Sequence, residues 1–324
     1  MSSDPRAFTE ETELHITPLP DYRILAISGV DAESFLQSQF TQDVNAATTS
    51  SARLSAYCSA KGRMLASFVL WQIAGTEPDQ GRSYQLMIRS DIADSFVKRL
   101  RMFVLRAKVK VEDTGLTPMG YWAGIKRDGD ASGLTYPEPW QVVSSEQSLQ
   151  FGLPALDGIH RGVLIADASL DLPQAQAGSP EQWAVLDILS GIPWVESANQ
   201  EKFIPQDVNL DAIGAVSFTK GCYPGQEVVA RSHYRGKLKR RMLNGYCEGH
   251  DITAAPGGDI TDRENTREPS GQIVNAASVD NKLYLLFEVR LDAAEHNQLA
   301  LGDENGPAIT LLSIPYPLEK PALA

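Results

Sequence analysis

Phe203 to Arg241 reads FIPQDVNLDAIGAVSFTKGCYPGQEVVARSHYRGKLKRR, and at its centre Lys220-Gly221-Cys222-Tyr223-Pro224-Gly225-Gln226-Glu227 places one thiol on a bend. Glycine and proline on both sides of Cys222 rule out a regular element there, whereas Gln226 to Tyr234 has no breaker and reads as a helix. Gly214 to Thr219 reads as a strand, so the expected unit is strand, turn, helix. Arg231, His233, Arg235, Lys237, Lys239, Arg240 and Arg241 follow, and no acidic residue interrupts Val228 to Cys247. A thiol beside a helix N-terminus and cations is expected to have a lowered pKa, which favours the nucleophilic, metal-ligating thiolate. Spacing alone leaves a second reading open, in which Cys222 is a small buried hydrophobe and the charges form a solvated face.

Outward from this segment the periodicity changes repeatedly. Tyr22 to Ser28 alternates as a strand and runs through Gly29-Val30 into a helix that Asp31 can cap, with Phe35, Leu36 and Phe40 on one side. Arg53 to Cys58 and Met64 to Trp71 read as a hairpin whose tip, Ser59 to Arg63, is basic and contains Gly62 for the turn. Tyr84 to Ile88 reads as a strand, the stretch after Asp91 as a helix with Phe96, Val97 and Leu100 inward, and Val104 to Val111 as another strand. From Asp113 to about Gly178 the pattern loosens, as in GIKRDGDASG and DLPQAQAGSP, and loops between short strands are expected. Ser179-Pro180 with Gln182 forms a capping box ahead of Trp183, Leu186 and Leu189, and Gly191 ends that helix. Beyond Leu243 strands at Gln272 to Val279, Leu283 to Val289 and Ile309 to Ile314 suggest a small β-barrel, with one helical stretch at Asp292 to Leu299.

With 324 residues, 43% of them hydrophobic, the chain is long enough for two or three packed domains. MSSDPRAFTEETELH has no signal-peptide pattern and no run approaches the roughly 18–20 apolar residues of a membrane span, so a cytoplasmic protein without membrane contact is expected. Three well-separated cysteines, Cys58, Cys222 and Cys247, fit reduced thiols, with Cys58 and Cys247 packed. A net charge of -12 disfavours direct nucleic-acid binding. His160 and His250 have no ligand-spaced partners, so no resident metal site is expected. Trp122 and Trp194 are expected in the core rather than stacked on a ligand.

The segment Phe203 to Arg241 closely resembles the signature of the YgfZ family, K-G-C-Y-x-G-Q-E followed by an alanine-arginine step, and SGVDAESFLQSQFTQDV (Ser28 to Val44) and CSAKGRM (Cys58 to Met64) resemble that family's amino-terminal portion. The resemblance implies an α+β chain with the three-domain, ring-like arrangement of the glycine cleavage aminomethyltransferase, mixed and antiparallel sheets and a C-terminal β-barrel. It implies that residues 1–50 and 115–242 form the folate-binding region, 51–114 an inserted α+β domain and 243–324 the barrel. It implies tetrahydrofolate as cofactor, a functional thiol at Cys222, and a role in assembling or repairing iron–sulfur clusters of client enzymes such as tRNA methylthiolases. Lys220, Tyr223, Gln226, Glu227 and Arg231 are the motif residues expected near folate. Lys61 and Arg63 either meet the folate glutamate carboxylates or remain a solvated tip.

Two departures from the transferase stand out. Where the transferase has an acidic pair after the hairpin, this chain has Ala66 and Ser67, and where a glutamate reads the pterin it has Leu189. A working aminomethyltransferase is therefore not expected. Two competing readings are a one-carbon transferase using Glu227 or Asp187 as base, and direct tRNA contact through Arg231 to Arg241, which would weaken steeply with salt.

Overall fold

A computed structural model of the chain describes residues 13–74, 81–124, 134, 136–156, 158–166, 175–235 and 238–318. The amino-terminal residues 1–12, most of the loops expected around 125–133 and 171–174, the side chain of Arg235 and all of Lys237 lie outside the described residues.

Alternation makes Tyr22–Ser28 a strand buried mainly on one face, and it pairs antiparallel with Ser83–Arg89 and Lys110–Asp113. Arg53–Cys58 and Met64–Ile73 form the expected hairpin and complete a five-stranded sheet. Met64 to Trp71 is buried throughout, because helices cover one face and the second sheet the other. Helix α1 (Ala32–Gln37) buries Ala32, Phe35 and Leu36. Asp31 sits at its N-cap, but its carboxylate accepts from the Lys108 backbone N–H at 2.7 Å instead of from the helix. Helix α2 (Ser90–Phe103) lays Ile92, Ala93, Phe96 and Leu100 against the sheet.

Three expectations are corrected here. Val104 to Val111 is not one strand: after α2 the backbone closes two tight turns, Ala107 N–H to Val104 C=O and Val109 N–H to Ala107 C=O, and pairing begins only at Lys110. Gly214 to Thr219 makes isolated bonds rather than a ladder, with Ser217 N–H donating to Thr41 C=O and the Thr41 hydroxyl donating to Ala215 C=O. The loosely patterned stretch from 113 to 178 holds strands between loops, as expected: Met119–Gly124, Val142–Ser144, Ser148–Leu156 and Ile159–Ala166 join His15–Pro18 and Gln176–Ala177 in a six-stranded mixed sheet. The boundary expected at residue 50 divides strands that share a sheet: Tyr22–Ser28 lies within the sheet of the 51–114 segment, while His15–Pro18 belongs to the second.

Helix α3 (Pro180–Leu189) starts on the expected capping box, with Ser179 Oγ accepting from Gln182 N–H at 3.2 Å and Gln182 Oε1 accepting from Ser179 N–H at 2.9 Å. It packs against the second sheet and against strands Gly271–Val279 and Lys282–Arg290 of the third. Helix α4 (Gln226–Arg235) follows the Cys222 turn as expected. The third sheet, Arg240 to Leu312, has six strands, all antiparallel. One of its faces encloses Cys247, Ile260, Leu285 and Phe287 with helix α5 (Leu291–His296), and the other sends Met242, Val274, Tyr284 and Leu286 into the main core. Among the described residues no helix is long and apolar enough to cross a membrane.

Candidate functional site

The polar residues ahead of the thiol are latches. Gln206 Nε2 donates to Val229 C=O at 2.7 Å, tying the segment to α4. Asn209 Nδ2 donates to Met242 C=O at 2.8 Å, and the buried Arg241 pairs with Asp211 at 2.6 Å while donating to Gln206 C=O at 3.0 Å. Below the turn, Gly225 lies on the hairpin tip: a Cβ there would stand 2.5 Å from Gly62 Cα and 2.5 Å from Ser59 O. Both glycines have positive φ, 80° and 72°, so the two motif segments meet backbone to backbone. The third anchor is Lys220, whose Nζ donates to the carbonyls of Gln37, Phe40 and Gln42 at 2.6, 2.6 and 3.2 Å. These carbonyls sit at and just past the end of α1, where free acceptors attract a cation.

On this frame Cys222 is exposed, while Cys58 and Cys247 are buried. Burial pushes the Cys58 thiol up to about 12 and the Cys247 thiol up to about 11, which makes both inert. Tyr223 is buried beside Cys58, and burial raises its pKa. The cations expected around the thiol are in large part committed elsewhere. Lys220 points inward, Arg240 pairs with Glu288 at 2.8 Å, Arg241 with Asp211, and Arg231 with Glu227 one turn away. That last pair is exposed on both sides and contributes little to stability. Lys61 is exposed at the tip, and Arg63 donates to the Lys202 carbonyl with Asp207 3.9 Å away.

Burial lowers the Lys220 pKa to about 8. The folded chain therefore releases this proton before the unfolded chain does, so the unfolded state binds more protons between about pH 8 and the ordinary lysine range near 10.4. Stability is expected to rise with pH across that window, and a Lys220→Met variant is expected to lack that slope. Denaturant titrations of both chains at pH 7.5 and 9.5 measure it.

A cavity lies elsewhere on the frame, where the first and third sheets meet beside α3. About 210 Å³ of space is lined by Tyr22, Arg89, Asp187, Trp194, Glu196 and Asn275, among others, and by none of the residues singled out around Cys222. Asp187 accepts from Tyr22 Oη at 3.2 Å, Trp194 Nε1 at 2.9 Å and the buried Arg161 guanidinium. With three donors on it, the Asp187 carboxylate is fixed in place. Burial raises the Glu196 pKa, opposed by Arg89 and by a bond from Asn275. The Nε of Arg89 is buried without a partner among the described residues. Trp194 is core, as expected, and also lines the cavity, whereas Leu189, which the resemblance aligns with a pterin-reading glutamate, does not. Leu189 is buried instead, and the carboxylate two residues earlier faces the cavity. A chain pattern could not reveal this, because the donors to Asp187 come from residues 7, 26 and 165 positions away.

Comparison with known proteins now decides the family. No family model matches the chain. It is 31% identical over 324 residues to the tRNA-modifying protein YgfZ of Cronobacter sakazakii, covering 95% of this chain and 94% of that one. The chain belongs to the YgfZ family. YgfZ proteins of Photorhabdus laumondii and Serratia proteamaculans are each 29% identical, covering 95% and 97% of this chain and 94% and 96% of theirs. The fold is that of an aminomethyltransferase: the crystal structure of glycine cleavage system aminomethyltransferase T from Bartonella henselae superimposes with a TM-score of 0.67 over 94% of this chain and 86% of that one, at 11% identity. Within this YgfZ chain, Ser67 is fully buried in strand Met64–Ile73. Its Oγ donates to Pro193 C=O at 3.0 Å and accepts from Val195 N–H at 2.9 Å, so it pins the backbone leading to the cavity. Among the described residues no cluster of three potential ligands could hold a metal ion.

Proposed function

We propose that this chain is a cytoplasmic, tetrahydrofolate-binding accessory protein that supports the assembly or repair of iron–sulfur clusters, including those of enzymes that modify tRNA. The observation that carries the reading is the exposed Cys222, held on a turn by three independent anchors in a chain of a family whose relatives are named tRNA-modifying. A thiol so placed serves as a transient ligand to a soft metal or cluster delivered by a client, or as a redox-active group.

The donor set of the α3 cavity suits a pterin. Glu196 offers a carboxylate to the amide and amino N–H groups of the ring and Arg89 its unused Nε, between the apolar sides of Tyr22 and Trp194, while Asn275, bonded to the Trp194 backbone and to Glu196, holds that carboxylate in position. The bound folate would supply its reduced ring as a one-carbon or redox partner. Arg89, Glu196 and Asn275 would orient it, and Ser67 offers no carboxylate for aminomethyl transfer.

A Cys222→Ser chain is expected to leave iron–sulfur enzyme activity unrestored in cells lacking the protein, with its denaturation midpoint unchanged because the side chain is exposed. Full restoration would remove the thiol from the mechanism. Calorimetric titration with tetrahydrofolate tests the ligand separately, and a flat response at saturating concentration would withdraw it.

A further inference from the structure

Six large apolar side chains are exposed among the described residues: Val30, Met102, Phe103, Leu105, Val228 and Tyr234. Four of them gather at one end of the first sheet. Met102, Phe103 and Leu105 close α2, at 66%, 46% and 89% exposure, and Val30 joins them because Gly29 packs directly on the Lys108 carbonyl. The same stretch, Val97 to Val111, contains no acidic residue and carries Lys98, Arg99, Arg101, Arg106, Lys108 and Lys110 in a chain of net charge -12. Isolated exposed apolar residues are ordinary, but a cluster bordered mainly by basic side chains, with Asp31 engaged by the Lys108 backbone N–H and Lys110 by Glu112, marks an interaction site.

A groove of about 210 Å³ continues this surface through Met102. Its apolar wall is Tyr57, Leu65 and Phe96, and its rim is Lys98 and Arg99. The Arg99 guanidinium stands over the Tyr57 ring, 6.0 Å from its centre, and its Nε is buried with no partner among the described residues. Tyr57 and Leu65 flank the hairpin tip on which the Cys222 turn rests.

We propose that this end of α2 is a docking surface for an acidic amphipathic segment of a partner protein. The segment's apolar side chains cover Met102, Phe103 and Leu105 and enter the groove, where methionine adapts to varied shapes. Its carboxylates meet Lys98, Arg99, Arg106 and Lys108. A short segment fits within the basic patch, whereas a tRNA or an anionic bilayer extends beyond the screening length of about 8 Å and meets the acidic remainder of the surface. The surface stands apart from the folate cavity and from Cys222, so its test does not depend on either.

The test uses the full chain and a fluorescein-labelled helical peptide with leucine at i, i+3, i+4 and i+7 and glutamate elsewhere, beside a counterpart in which lysine replaces glutamate. The glutamate peptide is expected to bind saturably and more weakly as salt rises, and the lysine peptide not to bind. Met102→Ser/Phe103→Ser/Leu105→Ser and, separately, Arg106→Glu/Lys108→Glu are each expected to weaken binding roughly tenfold or more, the loss of at least one dominant contact. Both variants alter exposed side chains, so their thermal midpoints are expected to match the parent. Failure of the glutamate peptide to bind, equal binding of the two peptides, or affinity unchanged in both variants overturns the proposal. Tighter binding of unmodified tRNA or of phosphatidylglycerol vesicles at the same salt overturns it as well.

Discussion

Asp187→Ala is expected to cost about 3–5 kcal/mol, the range for removing one partner of a buried ion pair. The Arg161 side chain is fully buried and Asp187 nearly so, and the guanidinium also lies over the Trp183 ring at 4.8 Å. Without the carboxylate a buried cation loses its counter-charge, while Tyr22 Oη and Trp194 Nε1 lose their acceptor at the same time. Because those residues belong to the first sheet and to the segment leading into the third, the cavity walls are expected to separate. Urea denaturation measures the energetic loss. A paired Arg161→Met/Asp187→Leu chain is expected to recover the part due to the unpaired charge, since an apolar replacement of both partners leaves none to desolvate, while Tyr22 Oη and Trp194 Nε1 still lack their acceptor. A loss under 1 kcal/mol in the single variant would show that water reaches Arg161.

Gly225→Ala is expected to be the next largest effect, at roughly 1–3 kcal/mol for overpacking and about 1–2 kcal/mol more for the left-handed backbone. The added methyl meets backbone on the hairpin side, and neither Gly62 Cα nor Ser59 O can rotate away. The turn must lift, and with it Tyr223, which is buried beside Cys58. The expected signature is chemical as well as thermodynamic. In the parent chain only Cys222 reacts rapidly with a thiol reagent under native conditions, and in the variant Cys58 becomes reactive too. Gly221→Ala is the control from the same motif: a Cβ there meets nothing within 4 Å, and its effect is expected to stay within about 0.5 kcal/mol.

These two sites differ in how far the chain alone exposed them. The hairpin around Gly62, the capping box at Ser179 and the helix after Gly225 follow from local rules, and each appears where periodicity and punctuation put it. Local rules failed at Val104 and at Gly214, where apolar alternation met backbone whose partners lie far along the chain. Between 113 and 178 the glycines and short runs signalled short strands but not their bounds or pairing, because only long-range pairing stabilises that sheet.

From the residues themselves came the family motif, the turn that carries Cys222, the order of the principal elements and the aminomethyltransferase-like architecture, because short-range sterics and a long specific signature suffice for these. Tertiary structure alone decided that Lys220 spends its ammonium on the end of α1, that Gly225 sits on Gly62, and that Asp187 rather than Leu189 faces the cavity. The physical reason is that burial and charge pairing depend on distance in space, and the partners that settle each of these residues are separated from it by up to 183 positions of sequence.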